Sequence, residues 1–132
     1  MKKLDILKVS AWMAIVGGVL LPLAESIRRI NQLLDPLLFF TWFDDYILGF
    51  ILVYTAYRVI SKKINAPIYL LAAWGVAVGG LANSLNTTIN LNKITPIENG
   101  IFSSSIIIFG KSTLLIYMLL GLILCIKGNE EK

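Results

Sequence analysis

Apolar residues fall into four long stretches along this chain, and each stretch carries polar side chains at about the same depth. A helix needs about 20 apolar residues to cross a bilayer core. Windows of that length, counted from the basic end of each stretch, are 9–28, 41–60, 67–86 and 107–126. Glu25 lies three residues inside the far end of the first, and Asp44 and Asp45 lie three and four inside that of the second. Asn83 and Lys111 take the matching places in the third and fourth. With their flanks, the expected helices are 9–28, 37–61, 67–86 and 105–126. The pattern predicts an all-α integral membrane protein, with four transmembrane helices in an up-down bundle and a single domain over 1–132. Folded together, the helices place a carboxylate-rich layer, with a lysine, just under one membrane face.

Local signals refine these elements. Pro22 in the first stretch removes a backbone donor and tends to kink the helix beside Glu25. Ile27, Ile30, Leu34 and Leu37 then recur at helical spacing among Arg28, Arg29, Asn31 and Gln32. That segment reads as an amphipathic stretch on the outer surface, or as an extension of the first helix. Asp35-Pro36 has the form of an N-cap followed by proline at the first helical position. Trp42 then falls near the outer boundary, where an indole is favoured. The turn over 61–67 is short and predicts an antiparallel hairpin. In the third stretch Ala72, Gly75, Gly79, Asn83, Asn86 and Asn90 share one stripe. Gly75-x-x-x-Gly79 is expected to let another helix backbone come close, inside the bundle or across a homodimer seam. Residues 87–105, with Pro96, Asn99-Gly100 and three serines, read as the long outer loop. The fourth helix is expected to end at Lys127, followed by a solvated tail over 128–132.

Composition supports the membrane reading. Hydrophobic residues make up 57% of the 132 residues and charged residues 15%, against about 45–50% and about 25% in soluble domains. The net charge of +4 is topological. Lys2, Lys3, Lys8, Arg58, Lys62, Lys63, Lys127 and Lys132 lie on one side of the four stretches, whereas Arg28, Arg29 and Lys93 lie on the other. This bias predicts cytoplasmic termini and no nucleic-acid partner. The start resembles a signal peptide with Ala24 as the cleavage point, but Pro22 at the minus-three position is unfavourable, so the segment is expected to stay as a helix.

Candidate chemistry is narrowed mainly by what the sequence lacks. There is no histidine, which excludes histidine-held haem, the usual zinc sites and Ser-His or Cys-His nucleophiles. The one cysteine, Cys125, excludes an internal disulfide and a C-x-x-C pair. Residues 14–19 hold no carboxylate of the kind that small multidrug transporters need in mid-span. What remains is the polar layer of Glu25, Asp44, Asp45, Asn83, Asn86 and Lys111. A charge within a bilayer costs at least about 2.5–3.5 kcal/mol, so these side chains should face inward and pair. Lys111 is expected within salt-bridge distance of Asp44, Asp45 or Glu25, or joined to one of them through one water, with one of the two aspartates facing inward because adjacent helical positions point about 100° apart. Tyr54, Tyr57, Tyr69, Trp74 and Tyr117 offer the lining of a cavity for a lipid or quinone tail, but at helical spacing in a membrane bundle they read first as packing or interfacial residues.

These features predict a small multi-pass protein of a cell inner (cytoplasmic) membrane, non-enzymatic and without a cofactor. Its expected partners are the bilayer, a second copy of itself or a larger membrane complex, in which it serves as a packing or accessory subunit. The alternative is an ion- or proton-binding transport component built on the polar layer. An enzyme acting on lipid is a third, weaker option.

Overall fold

The computed structural model describes residues 2–32, 34–39, 43–91 and 101–130. Among these residues every regular element is helical. Helix α1 spans Lys3–Arg28 and is followed by a 3-10 turn, Ile30–Gln32. A single turn, α2, spans Pro36–Phe39. Helices α3 (Asp44–Ile60), α4 (Ala66–Leu91) and α5 (Ser104–Glu130) complete the chain. Leu37 N–H donates to Asp35 Oδ1 at 3.0 Å, so the Asp35-Pro36 cap forms as its sequence suggested.

The helices form a ring. Helices α1 and α4 each pack against both α3 and α5, leaving α1/α4 and α3/α5 as the diagonals. One end of the ring gathers Leu7, Lys8, Lys62, Lys63 and Pro67. The opposite end gathers Arg28, Asp44, Thr88 and Lys111. Successive long helices therefore run in opposite directions, between a lysine end and a carboxylate end.

Among the described residues three helices are long and apolar enough to cross a membrane, over Asp5–Arg28, Ala66–Asn90 and Ser104–Glu130. Within the second expected span, 37–61, the long helix begins only at Asp44, after Phe43 in a turn; residues 40–42 lie outside the described residues. This helix has 17 residues, about 26 Å at about 1.5 Å per residue, somewhat short of a core about 30 Å thick. Its start has a physical basis in Asp44 and Asp45. Two carboxylates suit a helix N-terminus, where unpaired N–H groups and the dipole favour negative charge. Trp42 lies outside the described residues.

The other long helices outrun their expected limits. Helix α4 continues to Leu91, so 87–91 is helix rather than loop; Lys93, Pro96 and Asn99-Gly100 lie outside the described residues. Thr87 and Thr88 bond back to the Asn83 and Ser84 carbonyls at 2.9 Å, which removes their polarity from the surroundings. Helix α5 continues to Glu130, and Gly128 is buried against Leu7 instead of lying in a solvated tail.

Near the lysine end the core is dry and tightly keyed. Trp74 Nε1 donates to Ser10 Oγ at 2.9 Å, and Ser10 Oγ donates to the Gly121 carbonyl at 2.7 Å. Trp74 and Ser10 are fully buried. A Cβ at position 121 would lie 2.6 Å from Trp74 Cη2, so the indole occupies the space that glycine leaves open. Helices α1, α4 and α5 are thereby locked by one polar chain. Tyr117 adds a tie, donating to the Met13 carbonyl at 2.8 Å.

Helices α1 and α3 cross closely at Gly18 and Gly49. A Cβ at 18 would meet the Gly49 carbonyl at 2.6 Å, and a Cβ at 49 would meet the Gly18 carbonyl and, at 3.0 Å, Pro22 Cδ. Pro22 has no N–H to offer the carbonyl of Gly18, four residues earlier. That carbonyl faces Gly49 instead.

The expected packing role of Gly75 and Gly79 within the bundle is not realised. Both are exposed, with nothing within 4 Å of an added Cβ. Trp74 and Ala77 face the core, and helical geometry turns the glycine stripe outward. Close helix contact instead uses Gly18, Gly49, Gly121 and Gly128.

Candidate functional site

Toward the carboxylate end the ring opens into a cavity of about 1210 Å³ bounded by α1, α3, α4 and α5. Of the six polar-layer residues, Glu25, Asp44, Asp45, Asn83 and Lys111 line it. Asn86 does not; it is exposed on α4, where its Oδ1 accepts from Asn90 Nδ2 at 2.9 Å. The layer is thus gathered in space, but its charges pair differently from the sequence expectation.

Glu25 is satisfied within its own chain segment. Its Oε2 accepts from Arg28 Nη2 at 2.9 Å and from Arg29 Nε at 3.1 Å. Spacings of three and four residues place these side chains on one flank at the end of α1. Both guanidinium side chains are about nine-tenths buried, with 11% and 10% exposure. Arg28 Nε is buried without a hydrogen-bond partner among the described residues. The returning chain buttresses this corner, because Ile101 N–H donates to the Arg28 carbonyl at 3.0 Å.

Among the described residues Lys111 makes no ion pair with a carboxylate. Its Nζ donates to Ser84 Oγ at 2.8 Å and to Thr88 Oγ1 at 2.9 Å. This corrects the expected direct pairing with Asp44, Asp45 or Glu25. The reason is local: Ser84 and Thr88 are one helical turn apart and both face α5, while α3 lies on the diagonal from α5. An ammonium has three donors, and two of them are used here.

Asp44 is exposed and Asp45 half-buried in the first turn of α3. Neither makes an ion pair among the described residues. A neighbouring hydrogen bond between Ser26 and Tyr46 fixes α1 against α3 at this level, and Ser26 Oγ also donates to the Pro22 carbonyl at 2.7 Å.

Below the charged lip the walls become apolar. Leu21, Leu48, Leu81, Leu114 and Met118 line the depth of the cavity. Gly80 and Gly110 also line it, with nothing within 4 Å of an added Cβ. The site therefore has a polar mouth of mixed charge and an apolar interior. Among the described residues there is no group of three or more His, Cys, Asp or Glu side chains able to hold a metal ion.

Sequence reasoning missed Ser84 and Thr88 as partners of Lys111. Their spacing of four residues, near the depth of Lys111, was the available signal. It also missed the large separation of the helices at this end, which no local pattern encodes. Comparisons with protein-family models, with curated proteins and with solved structures gave no match.

Proposed function

We propose that this chain is a non-enzymatic membrane protein that holds a membrane amphiphile in the cavity between the outer halves of its helices. In this reading all four long helices cross an inner (cytoplasmic) membrane, with both termini cytoplasmic. The protein serves as an accessory or assembly component rather than a catalyst. The charge bias between the two ends supports the orientation. Exposed apolar side chains along the flanks, among them Trp12, Val16, Phe50 and Ile116, support the membrane environment. Leu34 and Leu37, 99% and 84% exposed beside the carboxylate end, suit the headgroup boundary.

The carrying observation is the cavity itself. Pockets for small molecules are about 300–1,000 Å³ and mostly apolar, with a few placed polar groups. A volume of about 1210 Å³ exceeds that range. A cation or proton site needs converging ligands in a small enclosure, whereas here Glu25 is already committed to Arg28 and Arg29. The ion-binding alternative therefore draws less support. An occupant with a polar head and an apolar body matches both the charged lip and the apolar walls.

The test is native mass spectrometry of the protein released from a detergent micelle. The wild type should retain a stoichiometric phospholipid. Gly80→Trp and Gly110→Trp, which extend into the cavity from positions where nothing lies within 4 Å of an added Cβ, should lose it while remaining folded. Absence of any retained amphiphile in the wild type would contradict the reading.

A further inference from the structure

Resting on that reading, we infer that the cavity selects a zwitterionic headgroup, a phosphate adjoining a primary ammonium. The arrangement of charge at the mouth carries the inference. Arg28 on α1 and Lys111 on α5 stand on neighbouring helices, and both line the cavity. Arg28 makes one side-chain hydrogen bond among the described residues, to Glu25, and its buried Nε has no partner. Residue Arg28 is only 9% exposed, so it is a desolvated cation with donors to spare. Lys111 is held by two neutral hydroxyls, which orient the ammonium without cancelling its charge.

Asp44 and Asp45 supply the opposite sign on α3, across the diagonal from Lys111. They make no ion pair among the described residues. Asp44 and Asp45 make no ion pair among the described residues and Lys111 is met there by neutral hydroxyls, so these charges are left uncompensated beneath the membrane surface in an empty site. A phosphate between Arg28 and Lys111 accepts charge-assisted hydrogen bonds from both. An ammonium attached to it carries three donors toward the first turn of α3. The six charged side chains at the mouth, Glu25, Asp44 and Asp45 against Arg28, Arg29 and Lys111, sum to zero, which matches a headgroup of no net charge. The apolar walls below take the acyl chains.

The experiment titrates delipidated protein in detergent with four probes, binding being read by native mass spectrometry. They are phosphatidylethanolamine, phosphatidylcholine, phosphatidylglycerol and free O-phosphoethanolamine. Phosphatidylethanolamine should bind on the order of tenfold more tightly than phosphatidylglycerol, the scale of one charge-assisted hydrogen bond. Phosphatidylcholine, whose ammonium has no N–H, should fall below phosphatidylethanolamine. The pair of changes Asp44→Asn and Asp45→Asn should abolish the preference for the amine while leaving phosphatidylglycerol bound. Lys111→Gln should weaken both lipids alike. Folding of each variant is checked by its melting temperature, and Asp45→Glu in an otherwise intact chain should keep the preference. Equal or tighter binding of phosphatidylglycerol overturns the inference but leaves the amphiphile reading standing. A preference that survives loss of both aspartates overturns it as well. Saturable binding of free O-phosphoethanolamine as tight as that of the lipid keeps the headgroup chemistry and overturns the amphiphile reading. No binding of any probe overturns both.

Discussion

Lys111 Nζ donates to Ser84 Oγ at 2.8 Å, so α5 is tied to α4 at the mouth of the cavity through a hydroxyl and not through a carboxylate. Thr88 Oγ1 completes the cradle at 2.9 Å. Hydrogen bonds to charged groups contribute about 1.5–3 kcal/mol. Ser84→Ala with Thr88→Val leaves the ammonium without either acceptor, and should lower stability by about that amount. Lys111→Met removes the charge together with its need and should be milder. Thermal unfolding in a fixed detergent measures both.

A second prediction concerns coupling. Asp44 and Lys111 share a cavity but no hydrogen bond, and their helices are diagonal in the ring. Effects of distant sites without shared partners add to within about 0.3–0.5 kcal/mol. A double-mutant cycle on Asp44→Asn and Lys111→Gln should therefore show near-additivity in lipid-free detergent. Coupling well above that range would mean that the two charges meet directly.

Glu25 should behave differently. Its carboxylate is shared by two guanidinium groups with about one-tenth of their side chains exposed. Removing one partner of a buried ion pair costs on the order of 3 kcal/mol, because the remaining charge is left uncompensated. Glu25→Ala should be among the most damaging changes at this end, and Asp44→Ala among the mildest. Equal melting temperatures for the two variants would contradict the assignment.

Much of the architecture was legible from periodicity. Four helices, their alternating direction and the gathering of Glu25, Asp44, Asp45, Asn83 and Lys111 at one level follow from apolar runs and residue counting. Pairing was not legible, because it depends on which helices are neighbours. Glu25 found Arg28 in the last turn of its own helix and Arg29 just beyond it, and Lys111 found hydroxyls on the adjacent α4. The glycine stripe shows the same difficulty. Spacing marks Gly75 and Gly79 as a surface that permits close approach, but the orientation of α4 is set by burial of Trp74 in the space beside Gly121. That relationship joins residues on two helices and has no local signature.

The glycines give a fourth prediction. Gly121→Ala drives a methyl group into the Trp74 ring, and Gly49→Ala drives one into the backbone of α1. Overpacking of this kind costs typically 1–3 kcal/mol. Gly79→Leu meets no atom within 4 Å and should leave monomer stability unchanged. Melting temperatures of the three variants order them, and a loss at Gly79 comparable to that at Gly121 would point to a contact made by a second copy.

The central claim is that an acyl chain occupies the cavity. It is tested most directly by nuclear Overhauser contacts in lipid nanodiscs, from the methyl groups of Leu48 and Leu81 to the methylene protons of the lipid. Leu48 is half-buried and Leu81 is 9% exposed, and both line the cavity. The account predicts strong methylene contacts at both residues, lost in Gly80→Trp while those of the outward-facing Leu120 persist. Contacts to water alone at Leu48 and Leu81 in the wild-type protein would contradict it.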